Sequence, residues 1–378
     1  MYIYNQHYLT SPLYSKNEYY RAVHYFADDW PLNFWNGEIK NIDSDFKKIK
    51  SDGFNAIILV IPWSEFQPSI SPIEYNKKCF DRLDYIFQKA SNYNLKVILR
   101  VSYLWDFEPA AQMPTQDRMI KLISDKDVLD VWLNYIDRIY LTANKYNNFA
   151  FGFLSWEDFW GIVYKYTDIN LTSADRIKIA KDIGFQDFIK NNYSLKDIKK
   201  YYDSVTSFDE IPTPVYQSYS MELFYKFFDN FLTERLLKTA QSKFPGLSME
   251  VRVDNDAIKN NNQMIWYSHN ETYDLPNTGI TTVYYSPSMG FDNTGDSKPS
   301  ETVIKMFNTI LSSIKNYSNN KQIFIDQFVF ADNTPGFENN TKIDSNELKK
   351  FIINSSKVME KYTCLLYTSD AADEEDSV

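Results

Sequence analysis

The sequence predicts an α/β fold of the (β/α)8 TIM-barrel class, and three observations lead to this prediction. Seven apolar, β-rich runs recur along the 378 residues. Segments with helical periodicity lie between many of them, and strand alternating with helix is typical of a parallel β/α architecture. No Gly-rich phosphate-binding loop follows the first run, in a chain with only 10 Gly. A doubly wound nucleotide-binding sheet is therefore the weaker alternative, and no cofactor is expected.

The predicted strands are read from apolar runs. The second run is apolar throughout, which suits a strand buried on both faces. Amphipathic segments at 43–52, 77–93, 128–145 and 346–362 predict helices. The strands are predicted at 22–26, 54–63, 95–104, 149–157, 247–254, 279–286 and 322–330.

The interval between the fourth and fifth strands is unusually long, at about ninety residues. It carries helical patterns at 173–183, 185–202 and 221–243, whereas one crossover needs far fewer residues. We therefore expect an N-terminal extension at 1–20 and a barrel domain at 21–363. Within that domain we expect a helical insertion at 161–245. An insertion on the face where a barrel strand ends covers or shapes an active site.

The C-terminal segment differs in character from the rest of the chain. Residues 364–374 resemble the in-frame translation of a transposase-type sequencing-library adapter, as in a truncated metagenomic sequence, so a non-native tail is expected at 364–378. The alternative is a natural acidic, disordered tail. Those fifteen residues contain five acidic and no basic side chains, so removing them changes the net charge from −10 to −5. If the tail is non-native, we expect the barrel to lack its eighth strand.

Composition excludes several classes of function. The net charge of −10 argues against a nucleic-acid partner. No apolar run reaches the roughly 18 residues of a membrane span, and the start shows no signal peptide, so a cytoplasmic location is expected if Met1 is the true start. Two Cys and 3 His, with no HxH or HExxH pattern, leave little for disulfides or a metal site. The oligomeric state stays open.

Candidate site residues are sought at the carboxyl ends of the strands, where barrel enzymes carry their chemistry. Aromatic planes stack on sugar rings, and paired carboxylates cleave glycosidic bonds. The predicted site comprises His24, Trp63, Arg100, Trp105, Trp156, Glu157, Asp158, Arg252, Asp254, Tyr285, Asp326 and Gln327.

Each candidate has a structural alternative. A single Trp is commonly a packing residue, and codon bias can explain the abundance of Tyr and Phe in a chain that is 17% aromatic. Glu157 can be a first-turn helix charge. The spacing of Glu250 and Arg252 favours a buried ion pair, Cys79 a small core residue, and His269 a loop position.

Two segments resemble clan A retaining glycoside hydrolases of the family 42 and family 5 types. Residues 53–68 are similar to their second-strand segment, which implies a substrate-facing Trp63. Residues 149–160 resemble their fourth strand, which implies that Glu157 is the acid/base. Residues 185–198 and 207–212 are similar to a helix pair in β-galactosidase-like members. The resemblance implies hydrolysis of O-glycosidic bonds in an oligo- or polysaccharide.

The sequence departs from this pattern at two positions. Trp156 stands where the clan has Asn before the acid/base. At the end of the seventh strand the clan has a Glu nucleophile, and Gln327 occupies that register here. Asp326 can serve if a bulge re-aims it, with Asp254 as the second choice. The alternative function is a catalytically inactive glycan-binding barrel associated with polysaccharide metabolism.

Overall fold

Eight parallel strands form a closed barrel in the computed structural model, which confirms the (β/α)8 class. The structure describes residues 19–27, 31–104, 113–261, 263–291, 295–329 and 338–367. The predicted site residue Trp105 lies outside these ranges. The barrel strands are β1 (Tyr20–His24), β2 (Ala56–Pro62), β3 (Lys96–Tyr103), β4 (Phe149–Ser155), β5 (Ser248–Val251), β6 (Ile280–Tyr285), β7 (Gln322–Phe328) and β8 (Thr363–Tyr367).

The eighth strand corrects the expectation of a gap in the barrel. Five residues, Thr363–Tyr367, lie between β7 and β1. Leu365 is in register with Tyr20 of β1 and with Phe324 of β7. The physical reason lies in the two flanking strands, whose exposed backbone groups accept any short extended segment. The backbone pairing therefore continues across the predicted junction between residues 363 and 364. The non-native origin of residues 364–378 stays a prediction.

The helices that surround the barrel follow the amphipathic segments. The helix Lys126–Ala143 is capped by Asp125, whose side chain accepts hydrogen bonds from the amides of Asp127 and Val128. Its buried face carries Trp132, among others, against the barrel. The remaining helices of this layer are Ile42–Ser51, Lys77–Asn92, Thr115–Lys121, Ser300–Tyr317 and Leu348–Tyr362. None of the described helices is both long enough and apolar enough to cross a bilayer.

The segment between β4 and β5 is helical. The sequence predicts one helix over 185–202, but Ser194 and Asp197 form a capping box that starts a second, short helix there. The final helical stretch runs back to β5 and contains a π-helical segment, Phe231–Leu237. The other elements are Trp160–Thr167, Ser173–Asp182, Phe185–Asn192, Leu195–Ile198, Phe208–Glu210, Met221–Asn230 and Lys238–Gln241.

Smaller elements decorate the barrel. An antiparallel hairpin follows β5 directly, so it stands at the carboxyl end of the strands. Its two strands are Asp256–Asn260 and Gln263–Tyr267. Two further pairs are Ser69–Ile70 with Ile73–Glu74 and Ser297–Lys298 with Lys342–Ile343. The short helices are Pro31–Phe34, Trp63–Phe66, Glu157–Phe159, Asn270–Tyr273 and Ser345–Glu347.

Aromatic side chains fill the barrel interior beneath the site. The ring of Phe324 on β7 lies 5.2 Å from that of Phe151 and 6.1 Å from that of Phe153, both on β4. Between these two, Gly152 faces outward, where a Cβ atom would stand 2.5 Å from Phe244. Side chains alternate along a strand, so Ser155 points into the barrel above Phe153. This alternation places the end of β4 over the interior.

Candidate active site

Two carboxyl groups from different strands meet in the barrel interior. Glu250 on β5 is 1% exposed and Asp326 on β7 is fully buried. The hydroxyl of Ser155 donates a hydrogen bond to Oε1 of Glu250. Burial, and then the charge of Glu250, raise the pKa of Asp326 well above its ordinary value. Neither carboxyl oxygen of Asp326 has a hydrogen-bond partner within the described ranges, and Oε2 of Glu250 has none there either. The protonated form of Asp326 is therefore favoured.

Asp326 points into the barrel, and a bulge lies at its position on β7. Val283 is in register with Ile325, while the next residue, Tyr284, is in register with Gln327. Asp326 is thus the extra residue on β7. It lies two positions after Phe324, so side-chain alternation already points it into the same interior. The expected bulge is present, but Asp326 does not need it to face inward. Gln327 lies beside it and is half-buried.

Arg100 on β3 is the central cation of the site. Its Nε and Nη2 atoms lie 3.2 and 3.1 Å from Oδ2 of Asp158. Burial alone lowers the pKa of Arg100, but Asp158, Glu250, Asp326 and Glu157 together raise it above its ordinary value. One guanidinium therefore faces four carboxyl groups.

The charge of Arg100 affects the pKa of two further groups, Asp158 and His24. The amide of Leu104 donates to Oδ1 of Asp158 over 3.2 Å. Burial raises the pKa of Asp158 to about 7, against the opposing effect of Arg100. Burial, and then Arg100, lower the pKa of His24 to about 3. His24 is therefore neutral at neutral pH and can hydrogen-bond without adding charge.

The end of β3 is held in a strained conformation that directs Tyr103. Ser102 has a φ of +63°, in the left-handed region that Ser rarely adopts. Its hydroxyl accepts a hydrogen bond of 2.8 Å from Nε1 of Trp132. The pairing shifts here by one residue, so that Tyr103 is in register with Pro62. The guanidinium of Arg100 lies 5.0 Å from the Tyr103 ring. The left-handed backbone of Ser102 thus accompanies the register shift that places Tyr103 beside Arg100.

Glu157 follows β4 and combines exposure with a perturbed pKa. Its side chain is open to solvent, and its amide donates to Oγ of Ser155 over 3.2 Å. Desolvation by the surrounding protein, and then the charge of Glu250, raise the pKa of Glu157, while Arg100 and Arg252 lower it. An accessible carboxyl with a raised pKa is suited to donate a proton at neutral pH. Glu157 is the group in this cluster with both properties.

Asp254 is a second accessible carboxyl beside Glu157. It lies in the loop after β5 and is half-buried. The hydroxyl of Tyr284, at the end of β6, donates to Oδ2 of Asp254 over 2.5 Å. Burial, and then the charge of Asp254, raise the pKa of Tyr284 well above its ordinary value, so Tyr284 remains a donor. The charge of Asp254 also raises the pKa of Glu157, which indicates their proximity.

Three aromatic residues predicted to contact substrate are buried instead. Trp63 is inaccessible, and its Nε1 donates to Oε1 of Gln67 over 2.6 Å. Trp156 is 1% exposed and packs against Phe228 of the helical segment. Tyr285 is 2% exposed and faces the surrounding helices. None of them presents a ring face to a sugar, so the expectation of stacking is corrected for all three. Their apolar surface serves packing.

Other aromatic rings are exposed near Glu157. Trp160 is half-buried in the helix that follows, and its ring lies 5.2 Å from that of Tyr164. Tyr164 is 52% exposed and lies 5.3 Å from Tyr216. The guanidinium of Arg252 lies 5.0 Å from the Trp160 ring. These three rings form a wall at the carboxyl end of β4, which sequence periodicity could not distinguish from a buried helix face.

Sequence reasoning missed the contribution of Glu250 and the hydrogen bonds of His269. The strand β5 ends at Val251, so Arg252 leaves the strand face and pairs with Asp256 rather than with Glu250. His269 lies in a loop, as expected, but it is 1% exposed and bonded on both ring nitrogens. The described residues contain no group of His, Cys, Asp and Glu side chains arranged to hold a metal ion.

Comparison with known proteins defines the class to which the fold belongs. No protein-family model matches the sequence, and no curated protein matches it. The structure is similar to GH5_18 from Streptomyces cattleya in complex with GlcNAc, with a TM-score of 0.55, 12% identity, and coverage of 93% of this chain and 70% of that one. These neighbours are glycoside hydrolases with a TIM-barrel fold.

Two further structures have the same fold. The endo-1,4-beta-mannanase from Rhizomucor miehei gives a TM-score of 0.52 at 11% identity, over 95% of this chain and 91% of that one. Cel5A from Thermotoga maritima, a mutant form in complex with cellobiose substrate, gives 0.50 at 15% identity, over 93% and 89%. At these identities the likeness shows the fold, and the chemistry has to be argued from the site.

Proposed function

We propose that this protein is a glycoside hydrolase that cleaves O-glycosidic bonds of an oligo- or polysaccharide, with Glu157 as the proton donor. The observation that carries the proposal is the position of Glu157: exposed at the carboxyl end of β4, with its pKa raised by the protein around it and by Glu250. A protonated carboxyl can protonate a leaving-group oxygen, and the resulting carboxylate can then accept a proton from water.

The second carboxyl of the mechanism has two candidates. Asp326, the residue favoured by the sequence, is fully buried, and its raised pKa favours the protonated form, which is a poor nucleophile. Asp254 is only half-buried and accepts a hydrogen bond from Tyr284. We therefore propose Asp254 as the group that attacks the anomeric carbon or stabilises its charge. Asp326 and Glu250 then lie buried in the barrel interior.

Neutral sugars fit the charge balance of the site. Arg100 is paired with Asp158 and Arg252 with Asp256, so neither guanidinium is available to an anionic substrate. The remaining carboxyls would repel one. The rings of Trp160 and Tyr164 supply planes on which a sugar can stack. The neighbours in complex with GlcNAc and with cellobiose substrate bind carbohydrates of this neutral kind.

The experiment is hydrolysis of a panel of neutral oligosaccharides by the wild-type protein and by E157Q. We expect E157Q to lose at least about 100-fold in kcat while still binding the substrate in calorimetry, because general acid catalysis contributes that much. D254A and D326A are then assayed with sodium azide. Azide restores product formation only where the missing carboxylate attacked the sugar. Full turnover by E157Q would refute the assignment of Glu157.

A second candidate function is glycan binding without cleavage. Gln327 stands where the resembling enzymes carry their nucleophile, and the neighbouring Asp326 is buried. A glycan that binds the wild type and E157Q alike, with no reducing ends released by either, would favour this candidate over hydrolysis.

A further inference from the structure

A chain of buried charged groups runs from the helical segment to the edge of the active site. It starts at Asp229 in the helix Met221–Asn230. Nδ1 of His269 lies 2.9 and 2.8 Å from the two carboxylate oxygens of Asp229. Nε2 of His269 lies 3.0 Å from Oδ2 of Asp256, in the hairpin after β5. Three elements that are distant in sequence are thus joined by one imidazole.

The last member of the chain is Arg252. Its Nε and Nη2 atoms donate to Oδ2 and Oδ1 of Asp256 over 3.0 and 2.7 Å, a two-point contact that fixes the plane of the guanidinium. This plane lies 5.1 Å from the ring of Trp156 and 5.0 Å from the ring of Trp160. Arg252 is therefore held on one side by a carboxylate and on the other by two indoles.

The far end of the chain is equally well fixed. Nε1 of Trp156 donates to Oδ1 of Asp229 over 3.1 Å, and the hydroxyl of Tyr267 donates to Oδ2 over 3.2 Å. Trp156 thus contacts both Asp229 and Arg252, and it immediately precedes Glu157. Arg252 is close enough to Glu157 to lower its pKa, yet no ion pair joins Arg252 to Glu157 or Asp254 in the described ranges.

We propose that Asp229, His269 and Asp256 are positioning residues that hold Arg252 flat against Trp156 and Trp160 and so keep its guanidinium from pairing with Glu157 and Asp254. A direct ion pair would fix Glu157 as a carboxylate and block its use as a proton donor. It would also occupy the carboxylate of Asp254. Asp256 keeps the guanidinium of Arg252 away from Glu157 and Asp254. His269 fixes Asp256 in the orientation that its two-point contact with Arg252 needs. This inference rests on the proposed function for its consequence, and on the contacts above for its geometry.

Other charged groups also affect the pKa of Glu157. Their effect has to be distinguished from that of the buried groups Asp229, His269, Asp256 and Arg252. The titratable and charged groups that face Glu157 are Arg100, Tyr103, Asp158, Glu250, Arg252, Asp254 and Tyr284. Of these, only Arg252 is held by Asp256. Substitutions of Arg252 and of Asp256 should therefore act on Glu157 in opposite directions, whereas general damage to the site would move both variants the same way.

The test measures the pKa of Glu157 by NMR of protein labelled with ¹³C at the glutamate carboxyls, with E157Q used to assign the signal. In D256N we expect the released guanidinium to turn toward Glu157 and to lower its pKa by about one unit, a tenfold change in acid dissociation. In R252M the lost cation should raise this pKa. H269Q should lower it by less than D256N does, since the contact between Arg252 and Asp256 remains.

E222Q is the matched control, because Glu222 pairs with Lys226 over 2.8 Å on the same helix as Asp229 and does not join the chain. It should leave the pKa of Glu157 unchanged. Equal or same-sign shifts in D256N and R252M would overturn the proposal, and if D256N does not fold, the opposite signs of H269Q and R252M decide. On a hydrolysable substrate, the alkaline limb of the kcat/KM profile should follow each shift. Wild-type protein that cleaves nothing refutes the proposed function alone, since the NMR measurement needs no activity.

Discussion

The carboxyl groups of Glu250 and Asp326 meet in the barrel interior, shielded from water and next to one arginine. Two like charges in such surroundings cannot both ionise at neutral pH. Burial and Glu250 accordingly raise the pKa of Asp326 well above its ordinary value. Ionisation of the buried Asp326 therefore costs stability, and this cost depends on pH.

The first prediction concerns the stability of D326N. The folded protein holds a proton on Asp326 that the unfolded chain releases near pH 4, so ionisation opposes folding as the pH rises. Replacement by an uncharged amide removes this penalty. We expect D326N to have a free energy of unfolding about 1 to 3 kcal/mol higher than the wild type at pH 7.5, with the difference shrinking toward pH 4. Urea denaturation at both pH values measures it. D182N, at an exposed ion pair with Lys178, is the control and should show no such trend.

The second prediction concerns His269 and alkaline pH. Burial opposes the charge, but Asp229 and Asp256 raise the pKa of His269 to about 9, above the ordinary value near 6.5. Its contribution to stability is therefore complete below about pH 6.5 and is lost as the pH rises through 9. A shift of this size corresponds to something on the order of 3 kcal/mol. Thermal or urea unfolding at pH 6 and pH 9.5 should show this loss in the wild type and not in H269Q. Parallel losses in both proteins would show that His269 is not the group responsible.

The third prediction separates the buried tryptophan from the exposed ring wall. W63F should lose about 1 to 3 kcal/mol of folding stability, because it removes the hydrogen bond to Gln67 and leaves a void. Its KM should not change, since the ring is inaccessible. Y164A should behave in the opposite way, with near-normal stability and a KM raised roughly threefold to tenfold by the loss of one stacking surface. A raised KM in W63F would restore its role as a substrate platform.

The fourth prediction concerns Ser102. Its left-handed backbone is the kind of position at which Gly is tolerated without strain. We expect S102G to keep the course of β3 but to weaken the site, because the hydroxyl that binds Trp132 is lost. S102A keeps the strain and loses the same hydroxyl, so it should be less stable than S102G. Comparison of the two unfolding midpoints measures the strain, and equal midpoints would mean that little is stored there.

The fold followed from the sequence because its signals are local. Apolar runs and intervening amphipathic segments located seven strands within a few residues of their bounds. The hairpin Asp256–Tyr267 was not anticipated, since its strands mix polar and apolar residues and depend on the adjoining helical segment. The helix predicted over 185–202 was too long because the cap at Ser194 interrupts a continuous amphipathic pattern.

The site was predicted less completely because its geometry depends on where strands end. Regular alternation placed Glu250 and Arg252 on one face, but β5 stops between them. Likewise, the aromatic pattern could not show that Trp156 packs beneath a helical segment seventy residues further along the chain. The expected bulge at Asp326 is present. Asp326 nevertheless faces inward by ordinary alternation, because the inward positions of β7 include Phe324 and not those that share the parity of Gln327.

The closure of the barrel by β8 has a practical consequence. Only five residues fill the position between β1 and β7, and they pair with both neighbours. Loss of this one short strand would leave two unpaired strand edges, on β1 and on β7, and unpaired edges invite aggregation.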